Sequence, residues 1–188
     1  MGAAVTYIDA HGLVDLSMRR LGTELGVEAM SLYRYVTGRE ELLDAVVEHL
    51  VAELAQDTEV VREPTHGWQD FTQRLAHGIR RIALAHPHTF PLVASRPGKA
   101  PWLRPPLRSL EWVEVFLAAL VAEGFTRDGA VAAYRAFTSF LLGHLLLESS
   151  QAGADIGPLD VVSDGADTTA DQDDLAAEHP LLSTTREN

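Results

Sequence analysis

Residues 17–36 read SMRRLGTELGVEAMSLYRYV, and this stretch decides the fold of the N-terminal part of the chain. Two short helical patterns flank a turn at Gly26. Each pattern carries a pair of apolar residues on one face, which are Leu21 and Leu25 in the first and Leu32 and Val36 in the second. Because these two faces can close on each other, the spacing predicts a helix-turn-helix.

The ends of the first helix carry the residue types that such a unit needs. Ser17 is a good N-cap, since its hydroxyl can accept a hydrogen bond from a free backbone N–H of the first turn. Gly26 suits the left-handed conformation that ends a helix. The second pattern leaves small, hydroxyl, aromatic and cationic side chains exposed, namely Ala29, Met30, Ser31, Tyr33, Arg34 and Tyr35. Such a surface suits the major groove of DNA, although helix pairs joined by glycine also occur in proteins that never bind nucleic acid.

Helical periodicity continues along most of the remaining chain. The Thr-x-x-Glu spacing of Thr37 and Glu40 predicts a capping box, followed by a connecting helix over residues 39–55 with a one-sided apolar stripe. Thr65 is expected to cap the next helix, which ends before Pro87. Other helices are expected over residues 3–10, 107–123 and 127–150, with single-turn or short helices at 90–94 and 173–182. Because no strand pattern of comparable length competes, the predicted fold is all-α.

The composition divides the chain into three parts. Residues 1–55 hold the helix-turn-helix and the connecting helix, and residues 56–151 hold the larger helical part. Residues 152–188 are rich in Gly, Asp, Ser and Thr, which is typical of a flexible loop or tail. The 127–150 segment is apolar on nearly every side, so we expect it to be buried on more than one face.

The net charge of −12 is concentrated at the C-terminal end of the chain. Residues 152–188 carry seven Asp and two Glu against one Arg, which amounts to −8. Residues 1–40 are close to neutral, and their cations are Arg19, Arg20, Arg34 and Arg39. An acidic body keeps its own surface away from phosphates, so only the face with these arginines is expected to dock on a duplex.

Several classes of function lack support in the sequence. The absence of cysteine excludes disulfides and thiolate metal sites. No apolar run reaches about 18 residues and no secretory signal is seen, so we expect a cytoplasmic protein without a membrane partner. His77, His86 and His88 have no neighbouring ligand spacing, so no metal site is predicted. Because the motifs GxSxG, GxxxxGK[ST] and GxGxxG are absent, neither an enzyme nor a cofactor is predicted.

Three segments carry a resemblance to a known family. They read LGTELGVEAMSLYRYVTGREELLDAVV, GWQDFTQRLAHGIRRIALAHP and LAALVAEGFTRDGAVAAYRAFTSFLLGHLLLESSQ. The first resembles the DNA-binding domain of the tetracycline-repressor (TetR) family of bacterial transcriptional regulators. The other two resemble the ligand-binding and dimerisation domain of the branch that includes the tetracycline repressor. The resemblance implies a homodimer in which the 127–150 helix contributes to a four-helix bundle between subunits.

The resemblance also implies a function. Members of this family bind palindromic operators as dimers, and a small-molecule effector releases them by tilting the connecting helix and changing the spacing of the two recognition helices. We therefore expect a sequence-specific DNA-binding regulator that acts as a repressor. An alternative stays open, namely a helical small-molecule-binding or interaction protein that has lost operator binding. It is suggested by the acidic charge and by two features not found in the sequence, the basic turn before the first helix and the final dimer helix.

Roles in DNA binding follow from the match to the family motif. Arg19 is expected to reach a guanine edge or a phosphate, or else to be a solvated surface arginine. Tyr33, Tyr35 and Arg39 are expected to hold phosphates, with core packing as the alternative for Tyr35. The residues expected to face the groove are Ala29, Met30 and Ser31, while Arg34 points to the same surface or is a spare charge. Ser17 is counted with this site as the N-cap of its first helix.

The effector pocket is expected among the helices of the larger part. Its expected lining consists of Phe90, Trp112, Phe116, Tyr134, Phe137, Phe140 and His144. Plain core packing is the alternative for most of the aromatic residues, and a hydrogen-bonded core or dimer-interface histidine is the alternative for His144. Where the tetracycline repressor presents histidine and asparagine to its magnesium-bound drug, this chain has Ala55, Leu75 and Leu92 or Val93. The expected effector is therefore small and apolar or aromatic rather than magnesium-tetracycline.

Overall fold

The computed structural model describes residues 1–95 and 109–156, and every regular element within these ranges is an α-helix. The helices are α1 (Gly2–His11), α2 (Met18–Glu24), α3 (Ala29–Leu32), α4 (Arg39–Glu53), α5 (Gly67–Ala85), α6 (Phe90–Ser95), α7 (Leu110–Ala122) and α8 (Arg127–Gln151). The prediction of an all-α fold is confirmed. The expected short helix at 173–182 and the first residues of the expected 107–123 helix lie outside the described ranges.

Helices α1 to α3 form what we call the head, and α5 to α8 form the body. Within the head, α1 packs on α2, and α2 packs on α3. The side of α1 that turns inward consists of Ala4, Val5, Tyr7 and Ile8, all of them buried. In the body, α8 packs against α5, α6 and α7, so this longest helix organises the core there.

Helix α4 joins the two parts by contacting α1 on the head and α6 on the body. Its predicted apolar stripe is confirmed, because Leu43, Val46, Val47, Leu50 and Leu54 are all buried. Burying each such side chain contributes about 1.5–3 kcal/mol relative to leaving it in water. One cluster of buried apolar residues runs through the head, α4 and the body, from Ala4 to Leu145. The division of the chain into domains ending at residues 55 and 151 stays a prediction.

Two helix caps differ from the predicted ones. The backbone N–H and the hydroxyl of Thr37 both donate to Glu41 Oε2 at 2.6 Å, whereas the predicted capping box used Glu40. Because Gly38 is the N-cap, Glu41 and not Glu40 occupies the third helical position, from which a side chain reaches back. These hydrogen bonds lower the pKa of Glu41. Similarly, α5 has His66 rather than Thr65 at its N-cap position.

Helix α8 is buried on one side only. Tyr134, Leu141 and Leu145 face the core, whereas Phe140 is 76% and Leu147 60% exposed. The expectation that this helix is buried on more than one face is therefore not met within the single chain. Among the described residues, α8 alone is long and apolar enough to cross a bilayer by length and composition, although the sequence was expected to contain no such segment. The core helix of a soluble protein also passes this test, so the observation is weak evidence for a membrane span.

Candidate nucleic-acid interface

The turn between α2 and α3 has the local geometry of a helix-turn-helix. The hydroxyl of Ser17 accepts a hydrogen bond from the Arg20 backbone N–H at 3.2 Å, so Ser17 is the N-cap of α2 as expected. Gly26 has a φ of 66°, in the left-handed region that suits glycine. Leu21 and Val36 are buried, but Leu25 is 44% exposed, so its predicted place in the core is wrong.

Gly22 is a feature of this turn that the sequence reasoning missed. A Cβ at this position would lie 2.9 Å from the carbonyl oxygen of Val27 and 3.2 Å from the backbone nitrogen of Ala29. Gly22 therefore lets the backbone of the turn come directly against α2. The signal was present, because a glycine inside a helical pattern costs about 1 kcal/mol relative to alanine and often has a packing reason.

The side chains on and after α3 form an exposed surface, which we call the reading surface. Met30 is 73% exposed, Tyr33 44% and Tyr35 78%, and Arg34 is exposed as well. Ala29 and Ser31 are half-buried at the start and middle of the helix. The exposure of Tyr35 excludes the alternative of core packing in this chain. The structure thus brings the six predicted residues to one short segment, as an open mixture of apolar, hydroxyl and cationic groups.

The arginines of the head differ in what they contact. Arg20 is held by Asp15 in an ion pair whose hydrogen bond raises the pKa of Arg20. Arg19 and Arg34 are exposed, and neither forms an ion pair with any residue in the described ranges. Arg19 lies in the first turn of α2, and Arg34 lies two residues after the end of α3. These two cations therefore remain available to an external anion such as a phosphate.

Arg39 has a structural contact that its predicted phosphate role did not include. Its Nε donates to the carbonyl of Leu16 at 3.3 Å, and its Nη2 donates to the carbonyl of Leu13 at 3.2 Å. These carbonyls belong to the loop that joins α1 to α2. Arg39 therefore fastens this loop to the start of α4 and supports the position of α2.

The predicted pocket residues separate into two groups. The first group is internal: the Phe116 ring lies 5.5 Å from that of Tyr134 and 5.2 Å from that of Phe137. Phe71, which the prediction did not include, adds a fourth ring 6.0 Å from Phe116. Phe90 and Trp112 are buried in the same core cluster. Edge-to-face and tilted ring pairs of this kind are favourable core contacts, and they form an aromatic region in the body.

The second group is external, which differs from the prediction. Phe140 is 76% exposed, and the side chain of His144 is 53% exposed. Their rings stack with centroids 6.0 Å apart, and His144 Nε2 lies 3.7 Å from Glu148 Oε1. Both residues therefore belong to the outer face of α8 and do not line a cavity within the part of the chain that the structure describes. Spacing alone misled here, because it does not show which face of an apolar helix is covered.

Two surface pockets of the body lie away from the predicted lining. One has a volume of about 300 Å³ and is lined by charged and polar residues of α5 together with Glu59. The other has a volume of about 630 Å³ and lies between the loop before α5 and one face of α7. In the first, Arg74 is already held by Asp70 at 2.8 Å, and Arg81 by Asp57 at 2.6 Å. Neither pocket contains a residue predicted to bind the effector.

Comparison with known proteins identifies the family. Residues 62–187 match the family model of the tetracycline-repressor-like C-terminal domain, which is more than half of the chain. The chain belongs to the TetR family of transcriptional regulators. An HTH-type transcriptional regulator of Saccharopolyspora erythraea is 31% identical over 149 residues, which is 79% of this chain and 59% of the relative. The chain spans about half to two thirds of the length of the curated relatives it matches.

Solved TetR-family structures have the same fold. A possible TetR-family regulator from Streptomyces coelicolor A3(2) superposes with a TM-score of 0.74 at 28% identity, covering 98% of this chain and 83% of that one. BioQ, solved with its double-stranded DNA operator, superposes with a TM-score of 0.61 at 28% identity, covering 80% of this chain and 85% of BioQ. Proteins of this family are regulators of transcription and in general not enzymes. The helix-turn-helix head and helical body are thus the architecture of the TetR family.

Proposed function

We propose that this TetR-family chain is a sequence-specific DNA-binding transcriptional repressor, released from its operator by a small apolar or aromatic effector. The observation that carries the proposal is the reading surface, where Met30, Tyr33 and Tyr35 are exposed next to Arg19 and Arg34. Large apolar and aromatic side chains exposed next to one another are typical of interaction surfaces. Facing a DNA groove, the same side chains contact thymine methyl groups and phosphates.

The contacts can be divided by chemistry. Ala29, Met30 and Ser31 face the base edges, because they lie at the N-terminal end of the recognition helix. Tyr33, Tyr35, Arg34 and Arg39 hold phosphates on the flanking backbone, and Arg19 reaches a phosphate or a guanine edge. Ser17 supports this arrangement as the N-cap of α2. Base contacts set selectivity, while phosphate contacts supply affinity that does not depend on sequence.

One helix-turn-helix contacts too few base pairs to be selective, so the proposal requires two copies of the chain. The exposed apolar face of α8, with Phe140 and Leu147, supports a symmetric pairing of this helix with a second copy. The two reading surfaces would then contact half-sites about one helical turn of DNA apart, or a multiple of it. The operator is accordingly a palindrome, and the protein acts in the cytoplasm.

The effector acts by favouring one of two head arrangements. The proposed effector site is the aromatic region around Phe116, Tyr134 and Phe137, with Phe90 and Trp112 nearby. Helix α6 carries Phe90 and packs on α4, which leads to the head. A ligand that binds the two arrangements with affinities differing by about 1–3 kcal/mol is sufficient for release.

Selection of binding sites from a random-sequence duplex library tests this function. The expected result is enrichment of an inverted repeat by the full chain and weaker recovery of that repeat by the variants Tyr33→Ala and Arg19→Ala, which lose affinity. Val14→Ala is the matched control, because Val14 is exposed in the head but lies outside the reading surface. A folded protein that enriches no sequence would contradict the proposal and would favour a helical binding protein without operator recognition.

A further inference from the structure

A cluster of polar groups joins the head to the body at a point away from the course of α4. Asp9, near the C-terminal end of α1, lies against the loop between α5 and α6. His86 Nδ1 donates to Asp9 Oδ2 at 2.6 Å. Asp9 Oδ1 accepts from the Thr89 hydroxyl at 2.8 Å and from the Thr89 backbone N–H at 3.2 Å. Residues about 80 positions apart in the sequence are thus connected by three hydrogen bonds.

The cluster is largely withdrawn from water. The side chains of Asp9 and His86 are 21% and 25% exposed, and Thr89 is fully buried. A carboxylate in the last turn of a helix also opposes the negative end of the helix dipole. The position of Asp9 within α1 is therefore unfavourable, and its hydrogen bonds to His86 and Thr89 offset this cost. These hydrogen bonds hold α1 and the α5–α6 loop in one arrangement.

His86 adds a contact to a third element. Its other ring nitrogen, Nε2, lies 3.8 Å from Glu53 Oε1 at the end of α4. The His86 ring therefore lies between the carboxylate of Asp9 on α1 and that of Glu53 on α4.

The cluster lies where it can set the angle between the head and the body. Helix α1 packs on α2, and α2 packs on α3, so a movement of α1 carries the reading surface with it. The α5–α6 loop leads directly into α6, which packs on α4 and α8. The cluster therefore fastens α1 to the part of the body that precedes α6.

We propose that Asp9 is a positioning residue that fixes the head relative to the body through its hydrogen bonds to His86 and Thr89. The charged groups that contact the His86 ring from neighbouring helices are Asp9 of α1 and Glu53 of α4, with His88 next to it in the same loop. The proposal deepens the proposed function, because the angle of the head decides whether two reading surfaces fit an operator.

Distances between two spin labels measure the angle of the head directly and without DNA. The chain contains no cysteine, so Thr23→Cys on α2 and Glu114→Cys on α7 provide two labelling sites at exposed positions. Labelled chains are mixed with excess unlabelled protein so that each assembly carries one labelled chain at most. The distance distribution is recorded at one fixed pH for the parent protein and all variants.

The parent labelled protein is expected to give a narrow distribution. Asp9→Asn is expected to broaden the distribution and to shift its maximum by about 2 Å, the scale of helix displacements in switching proteins. His86→Ala removes one of the three hydrogen bonds to Asp9 and is expected to broaden the distribution less. His77→Asn, on exposed α5 surface, should behave like the parent protein.

Circular dichroism establishes that each variant is folded, and His86→Ala decides the question if Asp9→Asn does not fold. A folded Asp9→Asn or His86→Ala protein with the parent distribution would overturn the proposal. The test is independent of operator binding. If the distances change as expected but no DNA site is enriched, the positioning role stands and the proposed function fails.

Discussion

Arg39 and Arg34 lie five positions apart and have opposite environments. Arg39 donates to the carbonyls of Leu13 and Leu16, whereas Arg34 is exposed and forms no ion pair within the described part of the chain. Arg39→Ala is expected to lower the free energy of unfolding by about 1–2 kcal/mol, because two hydrogen bonds from a charged group are lost. Urea denaturation measures this change.

Arg34→Ala is the matched control for this prediction. It should change the free energy of unfolding by less than about 0.5 kcal/mol, since it removes no contact within the head. It should weaken DNA binding about equally for all sequences, because a phosphate contact does not depend on sequence. Equal stability of the two variants would contradict the structural role of Arg39.

Gly22 provides a second prediction for a single residue. A methyl group there would meet the Val27 carbonyl and the Ala29 backbone at 3.3 Å or less, and backbone atoms cannot rotate away. Gly22→Ala is therefore expected to destabilise the chain by about 1–3 kcal/mol, as overpacking does, and to displace α3. Thermal and urea unfolding measure the loss. Thr23→Ala, one position later on the exposed side of α2, should leave stability within about 0.5 kcal/mol of the parent.

Local sequence rules predicted the features that depend only on neighbouring residues. They failed for features that depend on contacts with distant parts of the chain. The N-cap at Ser17 and the left-handed Gly26 follow from side-chain reach and backbone sterics, so the sequence sufficed for both. Leu25 and Phe140 are apolar at the correct helical spacing, yet both are exposed. Periodicity identifies an apolar face but not the element that covers it. The contact between Asp9 and His86 has no local pattern at all, because it joins residues that only the tertiary fold brings together.

At the scale of elements, an ion pair joins α5 to α8. Arg80 donates from Nε and Nη2 to the carboxylate of Glu148, with Arg80 Nη2 at 2.9 Å from Oε1. The hydrogen bond from Arg80 is the main reason why the pKa of Glu148 is lowered, with smaller contributions from the charges of Arg80 and His144. A carboxyl group whose pKa is lower in the folded state stabilises the fold above its unfolded pKa, near 4.5. This stabilisation is lost as the pH falls through the lowered value.

The expected consequence is an acid sensitivity that a single substitution reduces. Glu148→Gln should be less stable than the parent protein at about pH 7 and should lose less stability on acidification below about pH 4.5. Urea denaturation at a series of pH values measures both. Glu114→Gln, exposed on α7 without an ion pair among the described residues, should follow the parent protein. A Glu148→Gln profile parallel to that of the parent protein would contradict the assignment.

The element that the sequence described least well is α8. Its length and apolar character were expected, and it extends over Arg127–Gln151. Within a single chain, α8 is buried only on the side of Tyr134, Leu141 and Leu145, so the expectation of burial on more than one face is not met. The apolar composition of a helix reflects every surface against which the helix packs, including surfaces on other copies of the chain. An exposed apolar helix face is therefore consistent with the proposed homodimer.

For the whole molecule, we predict that Phe140→Asp converts a dimer into a monomer. A charge in the apolar face of α8 cannot be desolvated in a paired interface, whereas in the single chain the side chain stays exposed to water. Sedimentation at micromolar concentration measures the change, and circular dichroism should show unchanged helicity. Val14→Asp is the control, because Val14 is 83% exposed in the head and should leave the dimer intact. A parent protein that is already monomeric would contradict the pairing.

The charge of the whole molecule sets the conditions for its interaction with DNA. A net charge of −12 opposes contact with phosphates, so affinity must come from the few cations of the head and from base contacts. Affinity for arbitrary DNA should therefore be low, and discrimination between sites should be high. This expectation distinguishes an operator-binding regulator from a protein that binds nucleic acid only through excess positive charge.

Equilibrium titration of the selected inverted repeat and of a scrambled duplex of equal length tests the central claim most directly. Both are measured with the full chain by fluorescence anisotropy at one stated salt concentration of about 0.15 M. The account predicts binding to the inverted repeat at least about 10³-fold tighter than to the scrambled duplex. Equal affinity for the two duplexes, measured with a folded protein, would contradict sequence-specific regulation by this chain.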